Sequence, residues 1–228
     1  MALGRDVTIT WLGGATVLVR SPSGKSLLVD PVLESNPACP PEHKSGEGVD
    51  ALLVTNAGSL VDALNLARTR SLPVVAIADI ARWLEKKGVS TTLPMNLGGS
   101  LDVLGVRVTM IRADHITPAE DALAGDSCGY LITFGNGFRI YHAGFTALFG
   151  DMALVGEIYK PDLVLLPIGE ADMMGPFEAA HAVRLLRAKR VVPLVARGAL
   201  ARALRSHLDE LGLDKVNVID LTPGQVLS

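Results

Sequence analysis

Two kinds of β-run occur in this chain, and together they constrain its fold more than any one motif. In Val7-Thr8-Ile9-Thr10-Trp11 apolar and polar residues alternate, the pattern of a strand with one face in a core and the other in water. In Leu163-Val164-Leu165-Leu166 the apolar residues are unbroken, which suits a strand covered on both faces. β-rich runs are read at residues 7–13, 16–20, 26–30, 51–55, 74–78, 106–112, 130–134, 138–142, 163–168, 190–195 and 216–221. Ser23-Gly24-Lys25 and Gly135-Asn136-Gly137 punctuate two pairs of them as hairpins.

Helical periodicity falls between the later runs. Leu60, Ala63, Leu64 and Ala67 share one helical face, with Ser59 and Asp62 as a capping-box-like start and Arg68 and Arg70 complementing the C-terminal dipole. Asp79 is placed to cap a short helix carrying Ile80, Trp83 and Leu84, which Gly88 stops. Pro176 suits the first position of a helix over 177–189, and Leu200, Ala203, Leu204, His207, Leu208 and Leu211 mark the last helix. Residues 37–48 read as irregular, a candidate mobile flap. Hairpins followed by strand–helix alternation, with no long linker, predict one α/β domain spanning residues 1–228.

Composition narrows the class. Of the 228 residues 49% are hydrophobic, but the longest mostly apolar stretch, residues 141–159, contains His142, Asp151 and Glu157 and makes a poor membrane span. Lys and Arg number 21 against 24 acids, with no basic block and few aromatics, which argues against nucleic acid as the main partner. The two cysteines, Cys39 and Cys128, form no CxxC spacing or disulfide framework, and Arg5 and Asp6 precede any apolar run, so no signal peptide is read. A cytoplasmic setting is expected.

Ile9-Thr10-Trp11-Leu12-Gly13-Gly14-Ala15-Thr16-Val17-Leu18, followed by Leu27-Leu28-Val29-Asp30-Pro31, resembles the opening of a metallo-β-lactamase-fold hydrolase. The branch it is most similar to contains ascorbate-6-phosphate lactonase-like and uncharacterised metal-dependent hydrolases. The likeness continues through Met95-Asn96-Leu97-Gly98-Gly99, Tyr141-His142-Ala143-Gly144, Lys160-Pro161-Asp162, Leu166-Pro167-Ile168-Gly169, Met174-Gly175-Pro176 and Pro223-Gly224. It implies a metallo-β-lactamase-like αββα sandwich. It also implies two metal ions, held mainly by a THxHxDH loop, that ionise a bridging water and polarise the scissile group.

This sequence departs from that pattern. After Ala51-Leu52-Leu53-Val54-Thr55 comes Asn56-Ala57-Gly58-Ser59-Leu60, shorter and without histidine or aspartate. Gly14 stands where the opening motif usually has histidine, Ala143-Gly144-Phe145-Thr146 where the family has AGDT, and the Val195 region where the last ligand histidine falls. Of the main ligand positions only His115 keeps its residue. A structural zinc site supplies about 10–16 kcal/mol of binding free energy, and one imidazole, even beside Asp114, Asn56 or Asp30, supplies a small part of that. The expectation drawn is a metal-free, catalytically degenerate relative with no cofactor. It would bind a small molecule in a cleft lined by Asn56, Ser59, His115, Phe145, Glu170 and Val195, or act as a scaffold or partner subunit, with a homo-oligomer possible. That cleft favours apolar or aromatic ligands over phosphates. The alternative expectation is a hydrolase of an ester, lactone or phosphoester. It would use one weakly bound Zn or Mn ion, or His115 with Asp114 as the catalytic base.

The remaining candidates have plainer readings. His142 at a strand end reads as structural, His181 and His207 as packing or surface residues, and His43 as solvated. Ser59 lacks a GxSxG elbow and reads as an N-cap. Cys128, after Ser127, reads as a buried thiol entering a strand. Glu170 and Asp172 are equally well cleft residues or ordinary loop acids, and Met173-Met174 reads as packing.

Overall fold

The computed structural model describes residues 3, 6–117, 126–169, 171–195 and 198–228. Its strands form two seven-stranded sheets. The first has the order β14-β1-β2-β3-β4-β5-β6, from β1 (Thr8–Trp11), β2 (Val17–Arg20), β3 (Ser26–Val29), β4 (Ala51–Leu53), β5 (Val74–Ile77), β6 (Thr92–Met95) and β14 (Val226–Leu227). The second has the order β13-β12-β11-β10-β9-β8-β7, from β7 (Ser100–Val103), β8 (Val106–Arg112), β9 (Cys128–Thr133), β10 (Arg139–His142), β11 (Leu163–Pro167), β12 (Arg190–Leu194) and β13 (Asn217–Val218). Each sheet is antiparallel in its hairpin half and parallel where strands alternate with helices.

The unbroken apolar run is explained by two cores. Leu163 and Leu165 of β11 join Val108 and Ile132 in a first cluster, on the face turned to the first sheet, which meets them with Trp11, Leu27 and Leu53. Val164 and Leu166 point the other way, onto Ala179 and Val183 of α4 (Pro176–Leu186) and Leu204 of α5 (Ala199–Glu210). α1 (Leu60–Arg70) and α2 (Ala78–Lys86) place Ala63, Ala67, Ile80 and Leu84 in the first cluster. In β1 the alternation holds for Ile9 and Trp11, but Thr10 on the other face is also buried, so that face is drier than expected. The layers form an α/β metallo-β-lactamase fold, helices outside two facing sheets.

Three strands, β6, β7 and β14, fall outside the sequence reading, and all lie at sheet edges. Edge strands are short and half-exposed, so they need little apolar patterning, and Pro94 within β6 is tolerated there because one side of the strand has no partner. A further helix, α3 (Met152–Leu154), runs on as a wider-wound segment, Val155–Tyr159. Both expected hairpins form, closing through Ser21 N–H to the Lys25 carbonyl and Phe134 N–H to the Phe138 carbonyl.

Two capping assignments are corrected. Asp79 lies inside the first turn of α2, where it pairs with exposed Arg82 at 3.5 Å, while the N-cap residue is Ile77. Ser59 holds the N-cap position of α1 as read, but it gives no side-chain capping bond and forms no box with Asp62. The Ser59 hydroxyl donates to Asp30, and the Asp62 carboxylate accepts the Leu33 and Glu34 amides. Residues 37–48 are irregular apart from one turn, Pro41–His43, but are fastened rather than flap-like. Lys44 Nζ donates to the Glu34 and Asn36 carbonyls, Arg70 donates to the Gly46 carbonyl, and Cys39 is buried. His43 is half-buried rather than solvated.

Candidate active site

The sheets meet where β3, β4, β8 and β10 end. The Cys128 amide donates to the Thr55 carbonyl at 2.8 Å, and Tyr130, at the heart of β9, donates its hydroxyl to the Val54 carbonyl at 2.8 Å. These bonds lock the end of β4 to the second sheet. Asp30, one residue beyond β3, takes a left-handed backbone (φ 47°) and turns its carboxylate inward. Its oxygens accept the Thr55 amide at 2.7 Å, the Thr55 hydroxyl at 2.5 Å and the Ser59 hydroxyl at 3.3 Å. Burial pushes its pKa up to about 6, and the Thr55 and Ser59 hydrogen bonds only partly offset this. Asn56 donates to the Thr55 hydroxyl and accepts the Gly58 amide, so it, not Ser59, caps the turn that leads into α1.

His142 ends β10 fully buried with both ring nitrogens engaged. Nε2–H donates to the Ala15 carbonyl at 3.0 Å, and Nδ1 accepts the Gly144 amide at 3.2 Å. Burial pulls its pKa down to about 4, so it is a neutral strut between the sheets, as the plainer reading has it. Gly144 is required beside it. Its φ is 68°, and a Cβ there would collide with the Cys128 carbonyl.

Two cavities open onto these strand ends. One, of about 390 Å³, is walled by Gly13, Gly14, Asp30, Asn36, Asn56, Ser59 and Phe145 among others. The second, of about 640 Å³, is walled by Leu97, Arg112, Asp114, His115, Ile116 and Ser127 among others. Phe145 stands at their junction, its ring 5.6 Å from that of His115. Asp114 is tied to Arg112 Nε at 2.7 Å, and its amide donates to the buried Thr146 hydroxyl at 2.9 Å. Ser127 Oγ is buried, and among the described residues it has no hydrogen-bond partner.

Of the residues expected in one cleft, Asn56, Ser59 and Phe145 line the smaller cavity, while His115 lines the larger with Asp114, its ring 5.6 Å from that of Phe145. Val195, partly exposed and left-handed (φ 69°), lines neither cavity. Glu170 lies outside the described residues, while Asp172 is exposed beside a neighbouring cavity that Asp114 also lines. Cys128 is buried in β9 with its pKa raised by burial, and Met174 is buried while Met173 packs on Gly169. Sequence reasoning missed Asn36 and gave Asp30 only a supporting part. An acid directly after the wholly apolar Leu27-Leu28-Val29 was the available signal for Asp30.

The beta-lactamase superfamily domain matches residues 25–194, most of the sandwich just described. The chain belongs to the beta-lactamase superfamily. Within it, the chain is 38% identical over 243 aligned residues to a UPF0173 metal-dependent hydrolase of Roseiflexus castenholzii, covering 99% of both chains. It is 40% identical to another from Rubrobacter xylanophilus, covering 96% of this chain and 95% of that one. Among solved structures, Igni18, a metallo hydrolase from Ignicoccus hospitalis, superposes with a TM-score of 0.83 at 28% identity, covering 97% of each chain.

These relatives correct the functional expectation. A superfamily member whose full-length relatives are named metal-dependent hydrolases is read as a hydrolase, not as a degenerate protein that acts by binding alone, and the expectation of no cofactor falls with it. The donors do not yet match that expectation. Among the described residues no three His, Cys, Asp or Glu side chains converge to hold an ion. Asp30 is sealed beneath Thr55 and Ser59, both His142 nitrogens are engaged, Asp114 is paired to Arg112, and Phe145 stands before His115. This donor set does not fit a two-ion centre. No helix among the described residues is long and apolar enough to cross a membrane.

Proposed function

We propose that the protein is a hydrolase of an ester, lactone or phosphoester, working where the two cavities meet at Phe145 and His115. The observation that carries this reading is the full-length likeness to proteins named metal-dependent hydrolases. His115 supplies the base. Its partly exposed ring lines the larger cavity, where it can take a proton from the attacking water and return it to the departing oxygen. Arg112 on the same wall is paired to Asp114 and Asp126 also lines the cavity, so the wall carries no net positive charge and suits a neutral ester or lactone better than a phosphoester. The glycines and the Phe145 ring of the smaller cavity suit an apolar acyl or aryl group beside the scissile bond. In this reading the protein works in the cytoplasm, where its two unpaired cysteines would stay reduced.

The test is hydrolysis of activated esters, lactones and phosphodiesters by the purified chain, with and without added zinc or manganese. Turnover that falls by about 10²-fold or more in His115→Ala is expected, the usual scale of a lost general base. No turnover on any class, with either metal, would reject the proposal.

A further inference from the structure

Acids outnumber bases over the whole chain, 24 to 21, yet one cavity reverses that balance. At the N-terminal ends of β11 and β12, opposite the strand ends that carry the candidate active site, a hollow of about 390 Å³ is lined by Lys160, Arg187, Lys189 and Arg190 with a single acid, Asp162. Its cations come from two short connections, one after the helical segment ending at Tyr159 and one after α4. Gly156 lets these connections meet, because a Cβ there would come within 2.5 Å of the Leu186 carbonyl.

Helix capping does not account for these residues. Lys160 and Arg187 both hold left-handed backbones, at φ 47° and 51°, a conformation that glycine or asparagine adopts with less strain. Two neighbouring helix ends therefore each place a long cationic side chain where a small residue folds more easily. The terminal carbonyls do not need these side chains. The Arg187 amide bonds the Val183 and Arg184 carbonyls, and Arg139 Nη1 donates to the Tyr159 carbonyl at 2.8 Å.

Part of the positive charge is fixed in place and part is uncommitted. Arg190 donates Nε and Nη1 to the Asp162 and Leu3 carbonyls and lies over the Phe138 ring, which holds its guanidinium rigid. Asp162 has one carboxylate oxygen taken by the Arg139 amide at 2.9 Å. Among the described residues the Arg187 side chain has one long pair, to exposed Glu157 at 3.8 Å, which solvent weakens. No hydrogen bond or ion pair from the side chains of Lys160 or Lys189 is found among the described residues. Like charges gathered on one concave wall repel each other, and a bound anion relieves that repulsion.

We propose that this hollow is a binding site for a compact, multiply charged anion of the phosphate class, such as a pyrophosphate or a small phosphorylated molecule. The concave shape and the acidic Glu157 nearby favour a small anion over an extended polyanion. The site lies at the other end of the sheet from the proposed hydrolytic cleft and does not depend on that activity.

The test is calorimetric titration of the full chain with pyrophosphate at constant ionic strength, with sodium chloride as the matched control. Lys160→Asn with Arg187→Asn keeps residues that accept the left-handed backbone. Lys189→Gln alters only an exposed side chain and serves if the double variant fails to fold. Saturable binding tighter than about 1 mM, weakened at least about tenfold in either variant while unfolding in sodium chloride is unchanged, is expected. No saturable heat from the wild type, or equal affinity in a folded variant, would overturn the proposal.

Discussion

Asp30 and His142 are both buried and answer to pH in opposite directions. The Asp30 carboxylate is raised from 3.8 to about 6 by burial, so between those values the folded chain holds a proton that the unfolded chain has released. Stability from this group therefore falls as pH rises through that window, by about 1.4 kcal/mol per pH unit and roughly 3 kcal/mol in all. His142 is lowered from 6.5 to about 4, so there the unfolded chain binds the extra proton and stability falls as pH drops. Over pH 4–6 the two slopes offset one another. Asp30→Asn removes one of them. Relative to wild type, its urea-unfolding free energy should rise with pH by up to about 1.4 kcal/mol per unit between pH 4 and 6. Parallel curves for the two proteins would show that Asp30 is not buried as a titrating acid.

At the scale of elements, the entry to α1 shows how polar residues near a helix start are shared with distant strands. Asn56 caps the turn through the Gly58 amide, whereas Ser59 reaches across to Asp30. Asn56→Ala should cost about 1 kcal/mol of stability, as loss of an N-cap does. Ser59→Ala should leave helix content by circular dichroism unchanged but move the Asp30 transition to higher pH, because one hydrogen bond holding that carboxylate ionised is gone. An unmoved transition would remove Ser59 from the account of Asp30. Asp62 serves the same kind of long-range role by fixing the backbone of Leu33 and Glu34.

At the scale of the molecule, two cores share the second sheet. Leu165 faces the opposite sheet and Leu166 faces the outer helices, and neither is exposed. Leu165→Ala and Leu166→Ala should each destabilise the protein by about 2–5 kcal/mol in denaturant titrations. A strand with one face in water would show that loss at one position only, so a near-neutral result at either would contradict the layered arrangement. The same layering brings the ends of both sheets together and lets Phe145 stand between the two cavities.

Local periodicity in the sequence determined the interior strands, the two hairpins and most of the helices, because burial on one face or two leaves its mark on consecutive residues. The αββα arrangement was legible from the order of those elements together with the family resemblance. The edge strands β6, β7 and β14 were not, since a partner on one side asks little of their side chains, although β13, also at an edge, falls within the run read at 216–221. Tertiary structure alone decided that Ser59 and Asp62 bond across the fold, that Asn56 caps the turn before α1, and that His115 lines a different cavity from Asn56 and Ser59. Kinship with full-length hydrolases, not residue spacing, turned the functional reading from binding to catalysis. Apart from the Asn56 cap, which is local, these structural features depend on groups about thirty residues apart in the chain meeting at a few ångströms. Hydrogen bonding and van der Waals contact act at that range, whatever the separation along the sequence.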